Sequence, residues 1–410
     1  MPATLQIINA RLLEPATGQL TPAAWIEISG DRISAASTGA PPEPSGAQVI
    51  DAATATVLPG LIDAHVHLTA TSLDSADMTS WTPGYATVRG LAAAGRMLRR
   101  GFTTVRDVGG ADHGMARAID EGLAEGPRVF FGGKALSQTG GHGDARGLDD
   151  DHVPWCQHRP GFARIADGVD AVRIAARDEF RKGASHLKMC VSGGVASPHD
   201  EISDVQYSAD ELRAAVEEAD NHGRYVTVHA YHPRAISHAV LAGVRCVEHG
   251  NLIDDDTAAL MADRGVFLVP TLITYEQLAS RGRELGLAER SYRKIAEVRD
   301  EGLAALGRAA AAGVSIAFGT DLLAEMQEAQ LLEFTLRARV QQPADILRAA
   351  TCDGARLIGM AGQLGTLKPG ALADLLVVRG NPLADVAALI KPEENLRFVV
   401  KGGAVTTIAG

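Results

Sequence analysis

The chain has 410 residues, 46% of them hydrophobic but only 4% aromatic, and a net charge of −11. That length accommodates one large domain and a smaller one around an aliphatic core, and the acidic balance disfavours nucleic acid or an anionic membrane as partner. Cys156, Cys190, Cys246 and Cys352 stand far apart with no Cys-X-X-Cys pair, which argues against a zinc ribbon or a disulfide framework.

The first ten residues carry no basic leader, and no run of about 18 apolar residues occurs, so a cytoplasmic location without a membrane anchor is expected. Leu5–Ala10, Ala24–Ser29 and Arg32–Ala36 are β-like, with Gly30-Asp31 as a hairpin turn, and 37–48 is an exposed loop rich in Pro, Gly and Ser. From Val57 the pattern changes to short apolar runs alternating with Ala-rich helical stretches. The runs are Val57–Asp63, Thr103–Asp107, Val129–Gly132, Leu187–Val191, Tyr225–His229, Val244–Glu248, Val266–Pro270 and Ser315–Gly319. Eight β–α alternations over roughly 300 residues predict an α/β fold of the (β/α)8 TIM-barrel type, with a doubly wound sheet as the alternative. Ser208-Ala-Asp-Glu211 is a capping box that opens a helix ending near His222-Gly223, and Pro343–Leu357 is the last long helix of the barrel. The chain turns β-like again after Gly362, in Gly365–Val378 and Phe398–Ile408. Neither terminal segment can bury a core alone. Residues 1–56 and 363–410 are therefore expected to form one discontinuous β-sandwich beside a 57–362 barrel.

Chemistry-bearing residues cluster where the apolar runs end. His65 and His67 close the first run, and residues i and i+2 of a strand face the same side. Lys188, His229, His249 and Asp321 follow at the ends of later runs, and a closed barrel brings such ends to one mouth. Imidazole and carboxylate are ligands for zinc and similar divalent ions. His65, His67 and Asp321 suit one ion, and His229 and His249 suit a second. A protonated Lys188 has no acceptor, but addition of carbon dioxide would make it a carbamate with two oxygens, able to bridge two metals. Otherwise it is a barrel lysine paired to an acid. Asp321 is read both as ligand and as the base that carries a proton to the leaving amine, or else as a structural N-cap.

These residues sit in Pro59-Gly-Leu-Ile-Asp-Ala-His-Val-His, Lys188, His229-Ala-Tyr, Glu248-His-Gly-Asn, Gly319-Thr-Asp and Gly365-Thr-Leu-Lys-Pro-Gly-Ala-Leu-Ala-Asp-Leu. With that set, the chain resembles the amidohydrolase superfamily over essentially its whole length. It is most similar to the imidazolonepropionase-related branch, which holds binuclear zinc Xaa-Pro dipeptidases and Xaa-Arg or Xaa-Lys carboxypeptidases. The resemblance implies two zinc ions per chain and a lysine carbamate formed from carbon dioxide.

Several groups could handle substrate. Tyr231, two residues past His229, could donate to a developing oxyanion or simply pack at the rim. His142, in Gly140-Gly-His-Gly-Asp, is either a substrate contact, as the resemblance implies, or a turn histidine. Arg234 could pair with a substrate carboxylate or start a helix in solvent. Gly193 and Gly194 either let backbone approach the substrate or make a strand-exit turn. Asp149-Asp150-Asp151 could read a cationic side chain or be a solvated loop.

The expected activity is hydrolysis, by a metal-activated hydroxide, of small peptides with a free C-terminal carboxylate, Xaa-Pro dipeptides first. Xaa-Arg or Xaa-Lys carboxypeptidase, hydrolysis of N-acyl amino acids or other amides, and heterocycle opening or deamination are alternatives on the same fold, and a catalytically dead scaffold is the alternative outside enzymes. The partner is a small peptide, and a homo-oligomer is allowed.

Overall fold

A computed structural model of the chain describes residues 5–408 except 45, 74–77, 79, 148, 153–160, 198, 285–286 and 288. Cys156 therefore lies outside the described residues, and Cys190, Cys246 and Cys352 are free thiols.

The chain opens with strands β1 (Leu5–Glu14), β2 (Gln19–Ser29), β3 (Arg32–Thr38), β4 (Gln48–Asp51) and β5 (Thr56–Pro59). The β2–β3 hairpin turns at Gly30, whose φ of +61° suits a residue without Cβ, and pairs Ser29 with Arg32 as the sequence predicts.

The alternating region supplies β6 (Leu61–Val66), β7 (Phe102–Asp107), β8 (Arg128–Phe131), β9 (Ala135–Ser137), β10 (Ala163–Ile165), β11 (Leu187–Cys190), β12 (Val226–Ala230), β13 (Cys246–His249), β14 (Phe267–Val269) and β15 (Ser315–Ile316). All eight predicted runs are represented. The short β9 and β10 carry no alternation long enough to be noticed, and their place beside β11 appears only in the pairing. Among the described residues these strands form two parallel sheets, β6-β7-β8 and β10-β9-β11-β12-β13-β14-β15. Main-chain hydrogen bonds join the sheets on both sides: Ser185 N–H donates to Phe131 O at 2.8 Å, and Ala64 N–H to Phe318 O at 2.7 Å.

The last strands are β16 (Leu375–Val378), β17 (Leu396–Lys401) and β18 (Ala404–Thr407). They meet the N-terminal strands in one hydrogen-bonded eight-stranded sheet, β18-β17-β16-β5-β1-β2-β3 with β4 on β1. Strands from both ends of the chain, expected to form one discontinuous β-sandwich, share this one connected sheet. The run Val57–Asp63, predicted as one strand, is divided at Gly60. Val57 pairs with Val377 in the terminal sheet, whereas Ile62 pairs with Thr104 in the parallel one. Gly60 permits the division because any Cβ there would come within 2.1 Å of the Thr103 hydroxyl.

The Ala209–Asn221 helix begins with the predicted reciprocal cap between Ser208 and Glu211. The predicted Pro343–Leu357 helix passes through a π turn at Ala349–Asp353, where the Ala349 carbonyl accepts the Phe318 N–H at 3.1 Å. Among the described residues no helix is long and apolar enough to cross a membrane.

Candidate active site

The strand ends hold a row of imidazoles. Ring centroids lie 5.4 Å apart for His65 and His67, 5.0 Å for His65 and His249, 4.5 Å for His249 and His229, and 4.1 Å for His229 and His142. Asp321 faces the first of them, with its Oδ1 at 3.3 Å from Nε2 of both His65 and His67. These three residues form a compact group able to hold one metal ion. His229, His249 and Lys188 line the same cavity of about 480 Å³ as Asp321, so all six expected ligands meet in one place.

The outer edges of the imidazoles are tied down so that ligand atoms point inward. His65 Nδ1 lies 2.7 Å from Glu248 Oε2, His67 Nδ1 2.7 Å from Gly109 O, and His249 Nδ1 2.8 Å from Thr271 Oγ1. A proton on each Nδ1 leaves the Nε2 lone pair for a cation. His229 is held differently, with Nε2 at 3.2 Å from Gly193 O.

Protonation states follow from burial and neighbours. Burial, then the surrounding positive groups, hold His229 and His249 well below the usual histidine range, so both are neutral. Burial would raise Asp321, but His65 and His67 outweigh it and keep the carboxylate ionised. Burial also acts to lower His67, and the Asp321 hydrogen bond turns the net shift upward. A cation between these atoms would replace that proton. Lys188 is 4% exposed, and burial pulls its ammonium below the usual lysine range despite the Glu248 charge. The His65, His67 and Asp321 donor set therefore fits a divalent metal ion.

Against His65 lies a fully buried ion pair, Arg106 with Glu248 at 2.6 Å. Glu248 also accepts from His65, from the Thr227 hydroxyl and, at 3.3 Å, from the Cys246 thiol. Backbone strain gathers here too, since His249, Thr271 and Asp321 have φ of +73°, +44° and +52° without being glycine.

Tyr231 is buried and lines the cavity. Its hydroxyl accepts from Tyr275 at 3.0 Å, and the Tyr275 hydroxyl lies 3.0 Å from His249 Nδ1. His142 also lines the cavity.

Other expected contacts lie elsewhere. Arg234 is exposed on the first turn of the Pro233–Ala242 helix and is not part of the cavity wall, because Pro233 at the helix start turns the chain away. Asp149, Asp150 and Asp151 are solvent-exposed and outside the cavity wall. Gly193 and Gly194 do not line the cavity. They are packed, since a Cβ at Gly193 would meet Glu201 O at 2.0 Å and one at Gly194 would meet His142 Nδ1 at 2.0 Å. Tyr275, Arg106 and Phe162, whose ring meets His67 edge-on at 5.6 Å, escaped the sequence reading. None carries a local motif; Glu248, next to the expected ligand His249, was the one visible signal.

The profile of the amidohydrolase family matches residues 56–405. Over 364 residues the chain is 35% identical to ochratoxinase of Aspergillus niger, an alignment covering 85% of this chain and 75% of that one. It superposes on a prolidase complexed with N-methylphosphonate-L-proline with a TM-score of 0.96 at 43% identity, over 98% of this chain and 99% of the other. It superposes on a Xaa-Pro dipeptidase with bound methionine in the active site with a TM-score of 0.89 at 30% identity, over 98% and 99% of the two chains.

Proposed function

The chain belongs to the amidohydrolase family, and on that premise we propose that it is a binuclear zinc hydrolase of small peptides with a free C-terminal carboxylate, Xaa-Pro dipeptides first. The observation that carries the reading is the meeting of His65, His67, Lys188, His229, His249 and Asp321 on one cavity wall. The similarity to a prolidase and to a Xaa-Pro dipeptidase supports the substrate class. In this reading the parallel strands close into a (β/α)8 barrel, supported by the hydrogen bonds at Phe131–Ser185 and Ala64–Phe318.

His65, His67 and Asp321 would hold one ion and His229 with His249 a second, and Lys188, as a carbamate, would supply oxygen ligands. When bound, the ions supply Lewis acidity and bring the pKa of water toward neutrality. Asp321 takes a proton from the attacking water and passes it to the leaving amine nitrogen as the C–N bond breaks. Tyr231 donates its hydroxyl proton to the oxyanion that forms on the scissile carbonyl, its orientation set by Tyr275. His142, stacked on His229, steadies the oxyanion or the substrate carboxylate.

A panel of dipeptides with free and amidated C-termini tests the reading. Loss of an ionic anchor costs about 1–3 kcal/mol, so amidation should lower kcat/KM by roughly tenfold or more. Equal turnover of both forms removes the carboxylate requirement. A second reading, hydrolysis of a different amide, is favoured by the similarity to ochratoxinase and by a cavity wall that includes Leu73, Phe162, Val195 and Leu278. Rapid cleavage of bulky N-acyl amino acids with no dipeptide turnover would select it.

A further inference from the structure

The segment that leaves β11 crosses the cavity wall and is gripped from the far side by one buried cation. Lys294, on the Glu289–Ala311 helix, is 1% exposed. Its ammonium donates to the carbonyls of Gly194 at 3.0 Å, Ser197 at 3.2 Å and Asp200, and lies 3.3 Å from Asp200 Oδ1. An ammonium has three protons, so these four oxygens use its whole donor capacity. A buried charge is tolerable only when so satisfied, and removing it would leave the Asp200 carboxylate stranded.

From Asp200 the contacts lead to His142 by two routes. The Ser197 hydroxyl donates to Asp200 Oδ1 and lies 3.0 Å from His142 Nδ1. Gln206 donates its amide to Asp200 Oδ2 at 3.0 Å and accepts the His142 backbone N–H at 3.0 Å. The ring and the backbone of one residue are therefore held by a single network. Gly194 leaves the ring no slack, because even a methyl there would overlap Nδ1. On its other side the ring stacks against His229 with an interplanar angle of 17°.

We infer that Lys294, Asp200 and Ser197 form a buried charge clamp that positions His142 against the substrate, making them positioning residues for binding. The inference rests on the reading of His142 as a substrate contact. Its occupants come from the loop after β11 and the helix before β15, so the clamp also joins two walls of the cavity.

A double-mutant cycle on the zinc-loaded protein with Leu-Pro as substrate tests it. Ser197→Ala should raise KM on the order of tenfold, with kcat within about threefold and metal content unchanged. Because the hydroxyl acts through His142, the Ser197→Ala/His142→Ala protein should be no worse than His142→Ala alone. Independent, additive losses would mean that Ser197 serves the fold only, and would overturn the clamp. An unchanged kcat/KM in His142→Ala overturns the reading of His142 and the clamp with it. A readout free of activity uses Lys294→Met/Asp200→Asn, which removes the charges together. Amide hydrogen exchange across 193–200 should accelerate at least tenfold while the Ala209–Asn221 helix keeps its protection. Unchanged exchange overturns the clamp even where Leu-Pro proves not to be a substrate.

Discussion

Glu248→Gln separates the stability of the site from its affinity for metal. The wild-type carboxylate accepts from Arg106, His65, Thr227 and Cys246, and both ion-pair partners are fully buried. Glutamine has the same shape, but its amide must turn its NH2 toward one of these donors, and no anion faces Arg106. Breaking a buried pair from one side costs about 3–5 kcal/mol. For 410 residues, an unfolding entropy of about 2.1 cal/mol/K per residue gives about 0.9 kcal/mol/K, so the apparent Tm should fall by roughly 3–6 °C. His65 also loses the acceptor that fixes its Nδ1 proton, and loss of such a partner typically lowers metal affinity about 10–100-fold. Thermal unfolding of metal-free protein measures the first effect, and zinc titration against a competing chelator measures the second. Adding Arg106→Met removes the orphaned charge and should return most of the stability without restoring zinc affinity. A single variant whose Tm stays within about 1 °C of the parent, with zinc affinity within about twofold, would refute the reasoning.

Lys188→Ala should lose one or both metals and nearly all activity, and added acetate or propionate should restore part of it; full activity without metal would sink the bridging role. For Asp321→Asn, kcat should drop on the order of 10²–10⁴-fold, the scale of a lost acid–base group, while metal content changes less. A kcat within a few-fold of the parent would assign the proton transfer to another group. Away from the site, the Lys182 hydrogen bond chiefly, with Arg181, lowers Asp178 to about 2 against burial. A depressed carboxylate stabilises the fold above its unfolded pKa and loses that contribution as pH falls, here between about 4 and about 2. The Tm gap between parent and Asp178→Asn should therefore be small at pH 6 and close by pH 2, and a gap that widens on acidification would contradict the assignment.

Local physics made part of this protein legible in its sequence. Both His65 and His67, expected from their spacing to share one side, meet Asp321 although His67 lies just past the strand end; alternation marked all eight principal parallel strands, and the Ser208–Glu211 cap announced its helix, because each depends on residues within a few positions of one another. The meeting of Lys188, His229, His249 and Asp321 was inferred from order along the chain, which parallel strands convert into neighbourhood at one end of the sheet. What surrounds those ligands was decided only in three dimensions. Arg106 reaches Glu248 across 142 positions, Lys294 reaches Gly194 across 100, and Tyr275 reaches Tyr231 across 44. No spacing rule connects such pairs. Arg234 shows the converse: three residues from cavity-lining Tyr231 in sequence, it faces solvent once Pro233 starts a helix between them. Residue types announce which chemistry is available, but the partners that orient a side chain come from whichever backbone the sheet pairing brings within hydrogen-bond reach.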